Sequence, residues 1–265
     1  MEIKNLLPKH YLELEYFDKM FQFLDPEVMK NKTIIVSHDY QTLPMYGKDV
    51  VAILTAGDET GKPPKYAKDV GFVFKHHLDH DNIGNVYHMP LPYPNKFCGN
   101  AKIPIKDRKH DIFFAGCKRG SRTMFVRELK YFMQKNLHDY KFCVKITGKF
   151  GSGYKLQQYC DIMSNSKIIL SPRGWVRPEC LRFSEAVRCG CMIISEPHPD
   201  VTCFNDTPFY PLKQWTSANI AKAVKYCMEN QENIYEGMIA SWKNHFSPQA
   251  MAQKINNVVG GNNVN

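Results

Sequence analysis

The sequence predicts an α/β protein of two halves, each with a parallel sheet flanked by helices, the N-terminal half being small and irregular. Short apolar segments rich in β-branched residues recur along the chain, and from Asp111 they alternate with segments of helical period. A proline-rich, basic stretch without periodicity, residues 92–110, separates the two patterns. Strands that alternate with helices form βαβ units, in which the strands are parallel and the crossovers right-handed.

The N-terminal half, residues 1–105, has one helical pattern and several short strands. Apolar residues recur every three to four positions over Tyr11–Leu24, which predicts a helix. Short apolar or aromatic runs predict strands at Thr33–Ser37, Val50–Thr55, Gly71–Lys75 and Asn85–Leu91.

The C-terminal half, residues 106–265, is more regular. The predicted strands are Asp111–Gly116, Lys141–Thr147, Lys167–Ser171 and Cys191–Ser195. The predicted helices are Ser121–Asn136, Tyr154–Ser166, Pro178–Cys189, Ser217–Gln231 and Ser247–Val259. Ser121 and Ser247 are expected to cap their helices, and the last helix is a candidate to pack back on the N-terminal half.

Composition limits the classes of function. The chain has 265 residues and 35 Lys and Arg against 26 Asp and Glu, a net charge of +9 that favours an anionic partner such as a nucleotide, a phosphorylated lipid or an acidic glycan. The basic residues are dispersed, without an arginine-rich tract or a known DNA-binding motif, so we expect no nucleic-acid partner. The nine cysteines lack zinc-type spacing and fit reduced, buried thiols.

The length of the apolar runs indicates where in the cell the protein is located. None approaches the roughly 20 residues that a membrane span needs. The N-terminal segment carries charges throughout, unlike a signal peptide. We therefore expect a cytoplasmic protein, with peripheral association at the inner face of the membrane as an option.

Charge is concentrated between two apolar segments in LSPRGWVRPECLRFSEAVRCGCMIIS. The loop after a parallel strand is where α/β proteins bind ligands. Arg173, Arg177 and Arg182 would bring positive charge to a phosphate near the start of a helix. Glu185 would accept hydrogen bonds from ribose hydroxyl groups.

A purely structural interpretation of this stretch stays open. Glu179, Arg182 and Glu185 are spaced three apart on one helix side, and such pairs contribute only about 0.2–0.5 kcal/mol. Pro178 suits the first turn of this helix, and Gly190 suits a left-handed cap at its end.

A second basic constellation, FFAGCKRGSRTMFVREL, surrounds another strand end. Gly116 would let the backbone approach a phosphate, and Lys118, Arg119 and Arg122 lie in or just after the turn to the next helix. The alternative is a solvated basic turn. The motif is neither G-x-G-x-x-G nor a Walker A loop. The glycine-rich loop within Ile146–Tyr154 is either a further ligand contact or a flexible turn.

The stretch NSKIILSPRGWVRPECLRFSEAVRCGCMIISEPHPD resembles the donor-binding segment of GT-B glycosyltransferases, particularly the exostosin-like and group 1 families. The shared pattern is a strand that ends near Pro172-Arg173-Gly174, an arginine (here Arg182) shortly before Glu185-Ala186, and a glycine (here Gly190) before the next strand. The resemblance is clear over residues 111–260 and extends to the N-terminal half only in general architecture. It implies two Rossmann-like halves.

The resemblance implies a glycosyltransferase of polysaccharide biosynthesis. Glu185 would contact the ribose of a nucleotide-sugar donor, UDP- or GDP-linked, while the arginines and loop amides contact its diphosphate. The donor is a substrate, and neither a cofactor nor a metal is expected. Many retaining members carry a second glutamate eight residues before the first; Arg177 stands there in this chain, so we expect inversion.

The N-terminal half would supply the acceptor side, for a glycan or a lipid-linked acceptor. A transferase needs a base for the acceptor hydroxyl. Asp39, with His38 beside it, comes after a predicted strand and is the first candidate, while Asp58 and Glu59 come after the next. All of these equally suit turn formation.

A histidine-rich segment, KHHLDHDNIGNVYH, lacks the ligand spacing of a metal site and is interpreted as a polar loop. Two other classes of function remain open for the chain as a whole. One is a non-catalytic module that binds nucleotide sugars or anionic glycans, and the other is a sugar-nucleotide-processing enzyme, an epimerase or phosphorylase of the same fold.

Overall fold

The computed structural model describes residues 1–55, 60–120, 122–149 and 151–261. Three expectations lie outside the described residues: the cap at Ser121 and the alternative bases Asp58 and Glu59.

The secondary structure has the alternation that the sequence predicts. The strands are β1 Glu2–Asn5, β2 Thr33–Ser37, β3 Gly47–Leu54, β4 Val70–Lys75, β5 Asn82–Ile83, β6 Val86–His88, β7 His110–Cys117, β8 Phe142–Thr147, β9 Ser166–Ser171, β10 Met192–Ser195 and β11 Tyr210–Pro211. The helices are α1 Leu14–Phe21, α2 Arg122–Lys135, α3 Leu156–Ser164, α4 Leu181–Arg188, α5 Thr202–Asn205, α6 Ser217–Glu229, α7 Gln231–Ser241 and α8 Pro248–Val259.

The chain divides into two compact units. The first comprises Met1–Asn95, Pro199–Cys203 and the chain from Lys243 onward. Its sheet has the order β1-β2-β3-β4-β6-β5, and every neighbouring pair is parallel except β5 with β6. Within this unit α8 contacts α1, and Ser247 caps α8 by accepting a hydrogen bond from the Ala250 N–H.

The second unit comprises Lys96–His198 and Phe204–Trp242. Its sheet has the order β11-β10-β9-β7-β8, with all pairs parallel. The first strand of this sheet along the chain is β7, and the second, β8, lies beside it at one edge. The chain then crosses back over β7 to β9 and continues in the same direction to β10 and β11. The direction of winding therefore reverses between β7 and β9, and ligands of doubly wound sheets bind beyond the carboxyl ends of the strands at such a point.

Burial explains why the central strands of the second unit are continuously apolar. Ile112 to Phe114 in β7, Ile168 to Leu170 in β9 and Met192 to Ile194 in β10 are fully buried. Strands covered by helices on both faces have no solvated side on which polar residues would alternate. The edge strand β8 is only half-buried along its length.

The end of α4 is as the sequence predicts, and its beginning is not. Gly190 has φ +61°, its N–H donates to the Val187 carbonyl and the Cys191 N–H to the Ala186 carbonyl, which is a Schellman cap. The helix begins at Leu181 after an extended Cys180, so the expectation that Pro178 lies in its first turn is wrong. Residues 172–180 form a loop instead.

Two general features complete the fold. All nine cysteines are free thiols, most of them buried. Within the described ranges, no helix combines the length and the apolar character that crossing a membrane requires.

Candidate functional site

Two loops of the second unit meet at the reversal of winding. We call Lys118–Gly120 the β7 loop and Pro172–Cys180 the β9 loop, since each comes after the carboxyl end of that strand. Arg122, in the first turn of α2, joins them: its Nε donates to the Arg173 carbonyl at 2.9 Å. The loops therefore bring together the two basic constellations that the sequence singles out.

Arg182 lies at the centre of this site. Its Nη2 donates to the Ala115 carbonyl of β7 at 2.7 Å, and its guanidinium stands 5.0 Å from the centroid of the Phe114 ring. The other two guanidinium nitrogens, Nε and Nη1, are shielded from solvent and form no hydrogen bond of ordinary geometry with a described residue, although the Tyr159 phenol also interacts with the guanidinium. A buried donor without an acceptor is costly, so this side chain is suited to an anionic partner.

Position 116 requires a glycine because the Arg182 guanidinium packs directly against it. A Cβ atom at this position would lie 2.8 Å from Arg182 Nη2 and 3.1 Å from Phe114 Cζ. The absence of a side chain therefore lets the guanidinium lie against β7. The sequence suggested a different reason for this glycine, the close approach of the backbone to a phosphate.

The two central arginines reinforce each other's electrostatic effect. Burial, and next the positive charge of Arg182, lower the pKa of Arg122. Burial also works to lower the pKa of Arg182, but the acidic groups of Tyr159, Cys180 and Glu185 raise it above its ordinary value. Two guanidinium groups that lie next to each other with little access to water create a positive potential that a multiply charged anion would neutralise.

Glu185, on the second turn of α4, is 5% exposed. The Tyr159 hydroxyl donates to its Oε2 at 2.6 Å. Burial raises the pKa of Glu185, whereas the hydrogen bond from Tyr159 and the charge of Arg182 act to lower it. The carboxylate is thus held in place close to the arginine cluster.

Glu196, directly after β10, holds the β9 loop. Its Oε2 accepts the Arg173 N–H at 2.7 Å, its Oε1 accepts the Trp215 indole N–H at 2.6 Å, and Arg173 Nε lies 3.9 Å from the same Oε1. The half-exposed Arg173 side chain is therefore anchored at its base and open to solvent.

The remaining predicted residues of the second unit lie in the loops. Lys118 and Arg119 are exposed at the mouth of the β7 loop. Arg177 is half-buried in the β9 loop, where its carbonyl accepts the Gly174 N–H at 2.9 Å. These side chains add positive charge around the site, and whether they bind a ligand stays a prediction.

His38 and Asp39 lie in the first unit, both exposed after β2. Asp39 Oδ1 accepts the Gln41 N–H at 2.7 Å and the Thr42 N–H at 3.2 Å, and Oδ2 accepts the Thr42 hydroxyl. These bonds, the one from Gln41 foremost, lower the pKa of Asp39. The carboxylate thus has the turn-forming role that the sequence left open, and it is a weak proton acceptor.

The histidine-rich segment is not a polar loop throughout. His76, His77 and His88 are buried at the carboxyl ends of β4 and β6, and His76 Nδ1 lies 2.6 Å from the Met89 carbonyl. The Met89 carbonyl satisfies this polar atom of His76 inside the fold. Across the described chain, no three His, Cys, Asp or Glu residues are grouped so that they could hold a metal ion.

Sequence reasoning missed three residues of the site. Glu185 is contacted by Tyr159, and Arg173 is contacted by Glu196. Glu196 is contacted in turn by Trp215. Tyr159 lies within an amphipathic pattern that indicates only a helix, and Trp215 within a loop. No local signal marks contacts between residues so distant in sequence.

Comparisons with known proteins identify the type of fold. No protein-family model matches the chain, and no curated protein sequence matches it. Among solved structures, TarM aligns with a TM-score of 0.51 at 11% identity, over 91% of this chain and 57% of TarM. A chain of the GtfA/B complex aligns at 0.48 with 14% identity over 88% of this chain and 54% of that one. AviGT4, a glycosyltransferase involved in avilamycin A biosynthesis, aligns at 0.49 with 7% identity over 97% and 92%.

The chain therefore has the GT-B glycosyltransferase type of fold, with parallel sheets, as the sequence predicts. It spans just over half of the length of TarM and of the GtfA/B chain. At 11% identity the alignment with TarM establishes the fold and not the reaction. The reaction depends on the chemistry of the site residues.

Proposed function

We propose that the chain is a glycosyltransferase that moves a sugar from a UDP- or GDP-linked donor to a hydroxyl group of a glycan or lipid-linked acceptor. The observation that carries this proposal is Arg182, whose shielded Nε and Nη1 lack a well-aligned acceptor among the described residues at the point where the winding of the sheet reverses. The diphosphate of a nucleotide sugar supplies anionic acceptors of the required kind.

The arginine cluster would assist the departure of the nucleoside diphosphate. As the bond between the anomeric carbon and the β-phosphate oxygen breaks, negative charge accumulates on that oxygen. Arg122 and Arg182, already oriented by the Arg173 and Ala115 carbonyls, would stabilise this charge without reorganisation. Fixed cations can take the part that a metal plays in other transferases, so we propose a metal-independent reaction.

The acceptor hydroxyl must lose its proton as its oxygen bonds to the anomeric carbon. Asp39 is the expected base, but its hydrogen bonds and lowered pKa make it a weak one. The exposed His38, whose ring stacks 6.1 Å from that of Tyr11, is the better candidate of this pair. Arg177, in place of a second glutamate, supports inversion of the anomeric centre.

The net charge of +9 favours an acidic glycan or a lipid phosphate as acceptor, and with it a cytoplasmic protein at the inner membrane face. This part of the proposal rests on charge alone. Vesicles with and without anionic lipid, sedimented with the protein, would test it.

The test of the reaction is release of nucleoside diphosphate from a panel of UDP- and GDP-sugars, with and without glycan and lipid-linked acceptors. We expect release from one donor class that increases when an acceptor is present. Arg182→Met should slow release on the order of a hundredfold, as loss of an oriented donor does elsewhere. Arg127→Met is the control, since Arg127 is exposed on α2 and pairs with Glu128.

Two outcomes would overturn the proposal. Conversion of the nucleotide sugar without any acceptor, at a rate that acceptors leave unchanged, would indicate a sugar-nucleotide-processing enzyme. Binding of a nucleotide sugar without turnover, over the whole panel, would indicate a binding module.

A further inference from the structure

The hydrogen bond between Tyr159 and Glu185 joins two helices of the second unit. The crossovers from β8 to β9 and from β9 to β10 run in the same direction across the sheet. Because such crossovers are right-handed, α3 and α4 cover the same face. Tyr159 on α3 thus reaches Glu185 on α4, with 2.6 Å between the phenol oxygen and Oε2.

The position of Tyr159 is determined by aromatic packing. Its ring lies 5.6 Å from that of Phe113 in β7 and 6.3 Å from that of Phe97. Burial, and next the neighbouring Glu185 carboxylate, raise the pKa of Tyr159 well above its ordinary value. The phenol therefore stays protonated and donates to the carboxylate.

We propose that Tyr159 is a positioning residue that orients Glu185 for recognition of the ribose of the donor nucleotide. This inference rests on the proposed function, because it concerns the nucleotide that the arginine cluster would hold. No sequence motif points to Tyr159, and its part is inferred from the contact alone.

A glutamate side chain has several rotatable bonds, and it recognises a hydroxyl group well only when they are fixed in advance. Tyr159 occupies one carboxylate oxygen through a short hydrogen bond to a charged acceptor, which is among the stronger kinds. The ligand would then be recognised through the other oxygen. Without the phenol, the carboxylate would be free to rotate and would meet the ribose in many orientations.

The experiment compares affinities for a ribonucleotide and its analogue without ribose hydroxyls. Calorimetric titration would use UDP against 2′,3′-dideoxy-UDP, and GDP against its dideoxy analogue, on wild type, Tyr159→Phe and Tyr140→Phe. Tyr140 is the control because its ring also packs among aromatic side chains, Phe132 and Phe142, but it lies just before the amino end of β8, whereas the site lies beyond the carboxyl ends of the strands.

We expect wild type and Tyr140→Phe to prefer the ribonucleotide by roughly tenfold or more, the range of a hydrogen bond to a charged group. Tyr159→Phe should lose most of that preference and retain its affinity for the dideoxy analogue. General damage to the site would weaken both ligands together and leave their ratio unchanged. Tyr159→Met is a second variant without the hydroxyl, should Tyr159→Phe be unstable in thermal unfolding.

The possible failures are distinguishable. If wild type binds neither nucleotide pair, the proposed function is wrong. If wild type binds and prefers the ribonucleotide, but the folded Tyr159 variant keeps the full preference, the inference about Tyr159 is wrong and the proposed function stands.

Discussion

Arg182 and Gly116 show how one residue can depend on another far away in sequence. The arginine lies against β7 only because Gly116 has no side chain, and it donates to the carbonyl of the preceding residue. Shielding two guanidinium nitrogens that have no well-aligned acceptor among the described residues costs the folded protein stability. Places where a fold keeps such unmet donors are typically ligand sites.

We predict that Gly116→Ala weakens nucleotide binding far more than it destabilises the fold. The new Cβ would displace the flexible end of Arg182, which costs about 1 kcal/mol of stability but removes an oriented cation. Affinity for the nucleoside diphosphate should fall by roughly tenfold or more, measured by calorimetry. If the effect acts through Arg182, adding Gly116→Ala to Arg182→Met should cause little further loss; additive losses would contradict this route.

Glu185→Gln should stabilise the protein increasingly as the pH rises above the ordinary pKa of a glutamate, about 4.3. Burial raises the folded-state pKa of Glu185 above that of the unfolded chain. Ionisation therefore favours the unfolded state, and wild type loses stability as the pH rises from the unfolded pKa through the folded one. Glutamine does not ionise, so the variant escapes this loss. Urea unfolding of both proteins at several pH values measures the difference, and a difference that does not change with pH would contradict the assignment.

At the residue scale, the sequence pointed to charges but not to their partners. Arg173, Arg182 and Glu185 come after a predicted strand, so general rules for α/β proteins indicate them. Their contacts with Glu196, Ala115 and Tyr159 depend on tertiary packing, which leaves no local pattern.

Among the elements, α4 presents the site residues, and its two ends are determined differently. The Schellman cap at Gly190 is local chemistry, so the sequence predicts it. The start of the helix at Leu181 depends on the β9 loop, whose extended Cys180 precedes the first turn. A proline at 178 is compatible with either structure, which explains the wrong expectation. The first strand, β1, was missed because it is an exposed edge strand with charged residues.

Gly190→Ala should destabilise the protein by about 1–3 kcal/mol. The residue has φ +61°, and a Cβ atom would lie 2.9 Å from Ile239 Cδ1 and from Tyr235 Cε2. Gly84→Ala is the control, since Gly84 has the same φ of +61° with open space around it. Guanidinium unfolding should show a clearly smaller loss for Gly84→Ala. Equal losses would mean that backbone strain alone, and not packing at the end of α4, accounts for the glycine.

At the scale of the whole molecule, the order of strands matters more than their number. Alternating strands and helices predict a parallel sheet, but the reversal between β7 and β9 is known only once the pairing is seen. The sequence also offers packing against the N-terminal half as an option for the last helix, and the segment from Lys243 onward belongs to the first unit. Helix periodicity alone predicts that α8 exists and cannot select this surface, because many apolar surfaces could receive it.

The central claim is that Arg182 holds a nucleoside diphosphate at the reversal of the second sheet. The most direct measurement is thermal unfolding of wild type, Arg182→Met and Arg127→Met with UDP-, GDP-, CMP- and ADP-linked compounds. A ligand at 100 times its dissociation constant adds about 2.7 kcal/mol of stability. We expect UDP or GDP compounds to stabilise wild type and Arg127→Met, with the shift lost in Arg182→Met. Equal stabilisation of all three proteins, or of none, would contradict the claim.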